Sequence, residues 1–235
     1  MLFKAYWLAL GFAVLVAASF VWWSQDNAIE PDIGPLDAGR GETVPPHTEV
    51  DGPAPWWATI FALLANGTLF ASLVFGTLYV WLVAPNWPPP QVAEPGVLLF
   101  AALAAYATAG VVGRWIVLAN RRHGAIAPMA LLAILYLAIM VMVGFSMAGM
   151  PDPRSHAHAA TIFTLLGYGV LHCTIGLVFL ANAAIKIWRR KIVPGAQLEL
   201  RIGSLWQGYV AATGIAGIAL VMLMPSLIGM LGNVR

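Results

Sequence analysis

TIFTLLGYGVLHCTIGLVFLANAAIKIW, residues 161–188, is the stretch that decides the fold. It is one long apolar run with a single histidine, His172, near its middle, and the basic cluster Arg189, Arg190 and Lys191 follows it. An apolar run of about 20 residues is long enough to span a bilayer as a helix. The stretch therefore predicts a transmembrane helix. Its histidine is a candidate functional residue, because burying a polar ring in the middle of a membrane costs free energy.

The whole chain has the composition of an integral membrane protein. Its 235 residues are 60% hydrophobic and only 9% charged, with a mean hydropathy of +0.82, whereas soluble domains carry about 25% charged residues. A net charge of +2 is too small to indicate a nucleic-acid partner. The single cysteine, Cys173, excludes an internal disulfide and a multi-cysteine metal site. It is predicted to pack as a small hydrophobic residue.

Six apolar runs predict six transmembrane helices. They are Leu2–Trp23, Trp56–Ala84, Gly96–Ala119, Ile126–Gly149, Ala157–Trp188 and Leu205–Leu231. The first run could be a signal peptide, but it is long for that and ends in Trp22 and Trp23 instead of a small-residue cleavage site. Sheets are excluded from the bilayer, because open strand edges cannot lie in hydrocarbon and no barrel-type alternation is present. We therefore predict an all-α integral membrane protein.

The first and second helices are joined by a polar segment, residues 24–55. It holds most of the acidic residues of the chain and six prolines, a density that prevents a helix. It is predicted to be an extended linker on the membrane surface. The predicted organisation is an N-terminal helix at 1–23, this acidic proline-rich linker at 24–55, and a five-helix bundle at 56–235.

The basic residues of the short loops predict the orientation. Arg121–Arg122 and Lys186–Arg201 lie two helices apart and hence on the same side, which the positive-inside rule places in the cytoplasm. The proline-rich loop 85–95, the loop 150–156 and the C-terminus are then outside. Trp57 and Trp87 are predicted to lie at the membrane interfaces. Arg114, near a helix end, can extend its guanidinium to the interface and contact lipid.

The other histidines do not give His172 an obvious partner. A haem held by two histidines needs both at the same depth, but His158 is 14 residues earlier in the same run, about 21 Å along a helix. His47 and His123 lie in loops. His156 and His158 could share a surface metal, although a hydrogen-bonded interfacial pair is the preferred interpretation.

The predicted helices lack deep carboxylates and contain many glycines. Ion-coupled pumps and transporters keep ionisable groups inside the bundle, so the pattern argues against an autonomous pump or transporter. Glycines within the helices allow close helix contacts. Those predicted to do so are Gly67, Gly76, Gly110, Gly113, Gly167, Gly169 and Gly176.

The central run resembles a helix of subunit III in haem–copper oxidases of the cytochrome c oxidase type. That helix begins rich in threonine and phenylalanine, continues as Gly-aromatic-His-Gly-Leu-His and is followed by Ile-Gly. The matching positions here are Thr161, Phe163, Thr164, Gly167, Tyr168, Gly169, His172, Ile175 and Gly176. The second histidine of the motif corresponds to His172, and the first is replaced by Gly169.

The resemblance extends along most of the chain. Phe70–Ser72, the proline loop APNWPPP at 84–90 and Trp206 each fit the family pattern. The segment 34–50 resembles the junction in bacterial oxidases whose subunits I and III are fused. At other positions the chain departs from the family, with Asn66 at the buried carboxylate of the third helix, Gln207 at a histidine of the last helix, and about Val210 at an aspartate.

The resemblance implies a subunit III-like fold, in which one helix of an N-terminal hairpin is followed by the five-helix bundle. It also implies a non-catalytic role, since subunit III binds lipid in its cleft, protects subunit I from inactivation during turnover and supports proton uptake. No catalytic, cofactor or metal residue is expected in this chain. Gly167, Tyr168, His172, Asn66, Trp206 and Gln207 are the motif and packing residues, and Arg114, Trp57 and Trp87 are the interface candidates.

The resemblance also implies partners and a location. Haem and copper are expected in subunit I, subunit II is a second partner, and phospholipid is the expected ligand of the chain. The expected location is a bacterial cytoplasmic membrane, with the C-terminus in the periplasm. Two alternatives stay open at this point. One is a subunit III-like accessory protein of a nitric oxide reductase, and the other is a small haem-b membrane anchor or transporter.

Overall fold

The computed structural model describes residues 6–26, 36–44, 53–83, 96–120, 124–192 and 198–232. Within these residues the chain forms six α-helices and one β-hairpin. The helices are α1 Tyr6–Asp26, α2 Ala54–Val83, α3 Val97–Asn120, α4 Ile126–Ala148, α5 Ala157–Trp188 and α6 Leu198–Gly232. The two strands are β1 Leu36–Gly39 and β2 Glu42–Val44.

The helices make this a multi-pass membrane protein. α2 to α6 are each long and apolar enough to cross a membrane, while α1 contributes a shorter apolar stretch, Leu10–Gln25. The predicted all-α membrane class is confirmed. α5 begins and ends at the residues that the sequence predicts, Ala157 and Trp188.

Four of the helices form the core of the bundle. α3 packs against α4 and α6, and α5 packs against the same two helices. α2 lies on α5 and α6, and α1 contacts α5. Tyr106 of α3 and Tyr136 of α4 are the largest fully buried side chains. Lipid tails are as apolar as leucine, so shape and hydrogen bonds must hold such helices together.

Local interactions explain where α5 starts and stops. His156 is extended, and its Nδ1 accepts a hydrogen bond from the backbone N–H of His158 at 3.0 Å, which caps one of the free amides of the first turn. At the other end Arg190 adopts a positive φ of 59°, a left-handed conformation that ends a helix. The 32 residues between them span about 48 Å.

The structure corrects two details of the polar segments. Within residues 36–44 the predicted linker is a hairpin and not one extended segment, because β1 and β2 pair antiparallel, with Leu36 opposite Val44. The chain reverses through Gly39, Arg40 and Gly41, all at positive φ, a conformation that glycine adopts readily. In addition, the last helix begins at Leu198 and not at Leu205, so residues 198–201 of the predicted basic loop are helical.

Candidate functional site

His172 lies inside the bundle and connects two helices. The residue is 2% exposed. Nδ1 lies 2.9 Å from the backbone oxygen of Tyr168 on the same helix, and Nε2 lies 3.3 Å from Oδ1 of Asn66 on α2. A neutral imidazole carries one N–H, so it can donate to only one of these two oxygens at a time. The contacts place His172 at the α2–α5 interface.

Aromatic rings enclose the histidine on both faces. Tyr168 stacks on it with ring centroids 4.0 Å apart, and Trp206 of α6 lies nearly parallel to it at 5.5 Å. The Tyr168 hydroxyl lies 2.5 Å from the Tyr209 hydroxyl and donates to the backbone oxygen of Asn66 at 3.1 Å. We call Asn66, Tyr168, His172, Trp206 and Tyr209 the His172 cluster. It joins α2, α5 and α6.

Gln207 faces away from this cluster, toward α3 and α4. Its Oε1 accepts a hydrogen bond from the Tyr136 hydroxyl. Gly113 of α3 leaves room for the Gln207 chain, since a Cβ at Gly113 would lie 2.7 Å from the Cβ of Gln207. Gly176 does the same for the Tyr136 ring, also at 2.7 Å. Four helices therefore converge on one buried polar pair.

The Tyr106 side chain occupies the space next to Gly169. A Cβ at Gly169 would lie 2.7 Å from the Tyr106 hydroxyl, and one at Gly214 of α6 would lie 2.4 Å from the Tyr106 ring. The Cys173 thiol donates to the same hydroxyl at 3.4 Å. Cys173 is fully buried. The absence of a side chain at Gly169 thus leaves room for a tyrosine from α3.

The structure separates the predicted packing glycines into two groups. Gly110, Gly113, Gly169 and Gly176 lie in close contacts, and a Cβ on any of them would approach a neighbouring helix at 3.0 Å or less. Gly67 is looser, at 4.0 Å from Tyr209, and for Gly76 and Gly167 no atom lies within 4 Å. The prediction is therefore wrong for Gly76 and Gly167, which lie on open helix faces.

The remaining predicted residues lie at the surface or outside the described residues. Trp57 is 54% exposed in the first turn of α2, with its ring 6.4 Å from that of Phe61. Arg114 is exposed on α3. Trp87 and the loop histidines His47 and His123 lie outside the described residues. His156 and His158 are joined by the cap at the start of α5.

A second polar cluster lies where α5 ends and α6 begins, and sequence reasoning missed it. Lys186 is 4% exposed and forms an ion pair with Glu199 at 2.6 Å. One turn earlier, Asn182 donates to the Ser24 hydroxyl and its Oδ1 accepts from Gln25, both on α1. Lys191 donates to the Gln25 backbone oxygen at 2.5 Å. The available signal was a lysine and an asparagine four residues apart inside an apolar helix.

These side chains are arranged for helix contact. In the part of the chain that the structure describes, no three His, Cys, Asp or Glu side chains come together in a way that could hold a metal ion. In the His172 cluster and in the second cluster around Lys186, the described polar groups form hydrogen bonds mainly with neighbouring helices. These hydrogen bonds fix the positions of α1, α2 and α6 against α5. The sequence matches no protein-family model and no curated protein.

Proposed function

We propose that this chain is a non-catalytic, subunit III-like component of a respiratory haem–copper terminal oxidase of the cytochrome c oxidase type. One observation carries the proposal. Positions aligned with the family on three different helices lie in one contact cluster although they are far apart in sequence: His172 and Trp206, which match the family, and Asn66, which replaces its buried carboxylate. A chance resemblance at separate positions would not be expected to produce such a cluster.

The departures from the family pattern support a packing role. At the first motif histidine the chain has Gly169, and the Tyr106 hydroxyl fills the space beside it. At the histidine of the last helix it has Gln207, which accepts a hydrogen bond from Tyr136. Both replacements keep the buried polar contacts satisfied with groups that are neutral at pH 7, which lowers the cost of burial in a membrane. A role that needs neither of the two replaced histidines is compatible with this chain, and support of a partner subunit is such a role.

A groove between α1 and α5 supports phospholipid binding. It has a volume of about 680 Å³, and its walls are mainly apolar side chains of the two helices. Trp22, Gln25 and Arg189 line it near the helix ends that carry the polar contacts. An acyl chain fits the apolar wall, and the guanidinium of Arg189 can bind a phosphate. In the proposal this membrane is a bacterial cytoplasmic membrane, with the C-terminus in the periplasm.

Purification of the tagged full-length chain from its native membrane in mild detergent tests the proposal. The expected result is a complex with a haem–copper subunit, probed by its Soret absorbance and by mass spectrometry, with an untagged strain as the control. Recovery of a stable, haem-free monomer without any partner would overturn it. The identity of the haem subunit distinguishes an oxidase from a nitric oxide reductase, and a Soret band on the isolated chain would favour the haem-b anchor.

The proposed support of the catalytic subunit has its own measurement. Complexes prepared without this chain should lose activity faster during turnover than intact complexes, although both start at similar activity. Equal rates of inactivation would show that the chain has no protective role.

A further inference from the structure

A second cavity lies inside the bundle, at the end where α5 stops and α6 starts. Its volume is about 310 Å³, and side chains of all six helices line it. It reaches from Lys186 and Glu199 to Gln207. Glu199 and Gln207 are eight residues apart on α6, so the cavity extends about 12 Å into the bundle.

An ion pair stands at the outer end of this cavity. The Glu199 side chain is 44% exposed, whereas that of Lys186 is 5% exposed. The pair is electrically neutral, so the cavity does not require a further ion of either sign. The ammonium of Lys186 has three protons, and Glu199 accepts one of them. Within the described residues no other side chain accepts the remaining two.

Polar groups continue along the cavity toward its inner end. On α5, Asn182 lies one turn deeper than Lys186, and on α6, Ser204 and Gln207 lie five and eight residues beyond Glu199. An internal water needs two to four polar partners, and this spacing supplies them at successive depths. The walls of this cavity and of the α1–α5 groove are both mainly apolar, but this cavity also holds an ion pair at its outer end and polar side chains farther in.

We propose that this cavity is a hydrated inlet, a site for water and small hydrophilic solutes that opens to the aqueous phase beside Glu199 and ends at Gln207. Its volume holds on the order of ten water molecules at about 30 Å³ each. Hydration explains how a charged lysine is kept inside a membrane bundle, since intramembrane charges face one another or a water-filled cavity. The inlet is distinct from the lipid groove and does not depend on the oxidase assignment.

Substituted cysteines test the inlet in the full-length chain. Ser204→Cys, a nearly isosteric change in the cavity wall, is labelled with the anionic, membrane-impermeant reagent sulfonatoethyl methanethiosulfonate. Open membrane fragments give the reagent access from both sides, so the result does not depend on orientation. The reactive species is the thiolate, which forms in water and is suppressed in apolar surroundings. Ser204→Cys should therefore react about tenfold or more faster than a lipid-facing cysteine.

Two lipid-facing positions bracket the depth of Ser204 and serve as controls. Ser204 lies about 9 Å from the start of α6. Ala130→Cys lies about 6 Å from the start of α4, and Gly208→Cys lies about 15 Å from the start of α6. Ala130 and Gly208 are both exposed. The native chain, whose one cysteine is buried, gives the background. Equal rates at all three positions would overturn the proposal. Labelling of Ser204→Cys by a membrane-soluble maleimide alone would also overturn it, because that result indicates a lipid-filled cavity.

Discussion

The α3–α6 core and the peripheral helix α1 are held in place in opposite ways. In the core, neighbouring helices are so close that some contact positions have no room for a side chain and must be glycine. An example is Gly214 of α6, which lies against the Tyr106 ring of α3. Among the described residues, α1 contacts mainly α5, and its side chains Phe12 and Trp22 are each 70% exposed. Its contacts with α5 include the hydrogen bonds of Ser24 and Gln25 and the ring contact of Phe20 with Phe179.

This difference has an energetic meaning. Tight shape matching involves many small dispersion contacts, and a single added carbon disturbs several of them at once. A few hydrogen bonds in a membrane contribute about 0.6 kcal/mol each on average. The core should therefore respond to small changes of volume, and the position of α1 should respond to changes of polar chemistry that leave the core intact.

The largest effect is expected from a methyl group added to the core. Gly214→Ala places a Cβ within 2.5 Å of three Tyr106 ring atoms, and Tyr106 is 1% exposed and cannot move into solvent. Overpacking of this kind costs about 1 to 3 kcal/mol. The free energy of unfolding, measured by denaturant titration in detergent micelles, should fall by that amount.

Gly208→Ala in the same helix is the matched control. No atom lies within 4 Å of a Cβ at this position, and alanine has a higher helix propensity than glycine by about 1 kcal/mol. Gly208→Ala should leave stability unchanged or raise it slightly. Equal losses in the two variants would show that the glycines matter for backbone conformation and not for helix approach.

A smaller effect is expected from the polar attachment of α1. Asn182→Ala removes the side-chain bonds to Ser24 and Gln25, at 3.1 and 2.8 Å, and leaves the bond from Gln25 to the backbone oxygen of residue 182. The loss of two bonds corresponds to about 1 to 2 kcal/mol. Amide hydrogen exchange in α1 should become roughly 5- to 30-fold faster, with α3 and α4 unchanged.

Thr174→Ala provides the comparison on the same helix. Thr174 is exposed, and its hydroxyl donates to the backbone oxygen of Val170 within α5, so its loss should not change exchange in α1. Faster exchange in every helix of the Asn182→Ala variant would contradict the view that α1 is attached independently of the core.

The helices were predictable from the sequence, and the polar segments were not. Apolar length alone locates α5, because a membrane helix needs about 20 such residues. The start of α6 was missed because Glu199 and Arg201 are typical of a loop. The partner of Glu199 is Lys186, which the sequence places 13 residues away in the preceding helix. Gly39, Arg40 and Gly41 form the hairpin turn by a backbone conformation that composition alone did not reveal.

The candidate site was predictable only where a resemblance supplied the positions. Asn66, Tyr168, His172 and Trp206 were chosen in that way and lie together, while Tyr209, which bonds to Tyr168, was missed. Helices in lipid are apolar on every face, so the sequence carries no periodicity that shows which side contacts a neighbour. For the same reason Gly169 and Gly167 were indistinguishable in the sequence, although only Gly169 lies in a close contact.

The smallest effect is expected at His172, where the core meets α2. His172→Phe keeps a ring between Tyr168 and Trp206 but removes both nitrogens, and a single interhelical hydrogen bond averages about 0.6 kcal/mol. Stability should fall by about that amount, and the haem spectrum of the proposed oxidase complex should not change, because the histidine is a packing residue in this interpretation. His172→Ala, which also removes the ring, should cost more and still preserve the spectrum. A lost or shifted Soret band in either variant would instead make His172 a haem ligand, and the core–periphery boundary would then be a cofactor site.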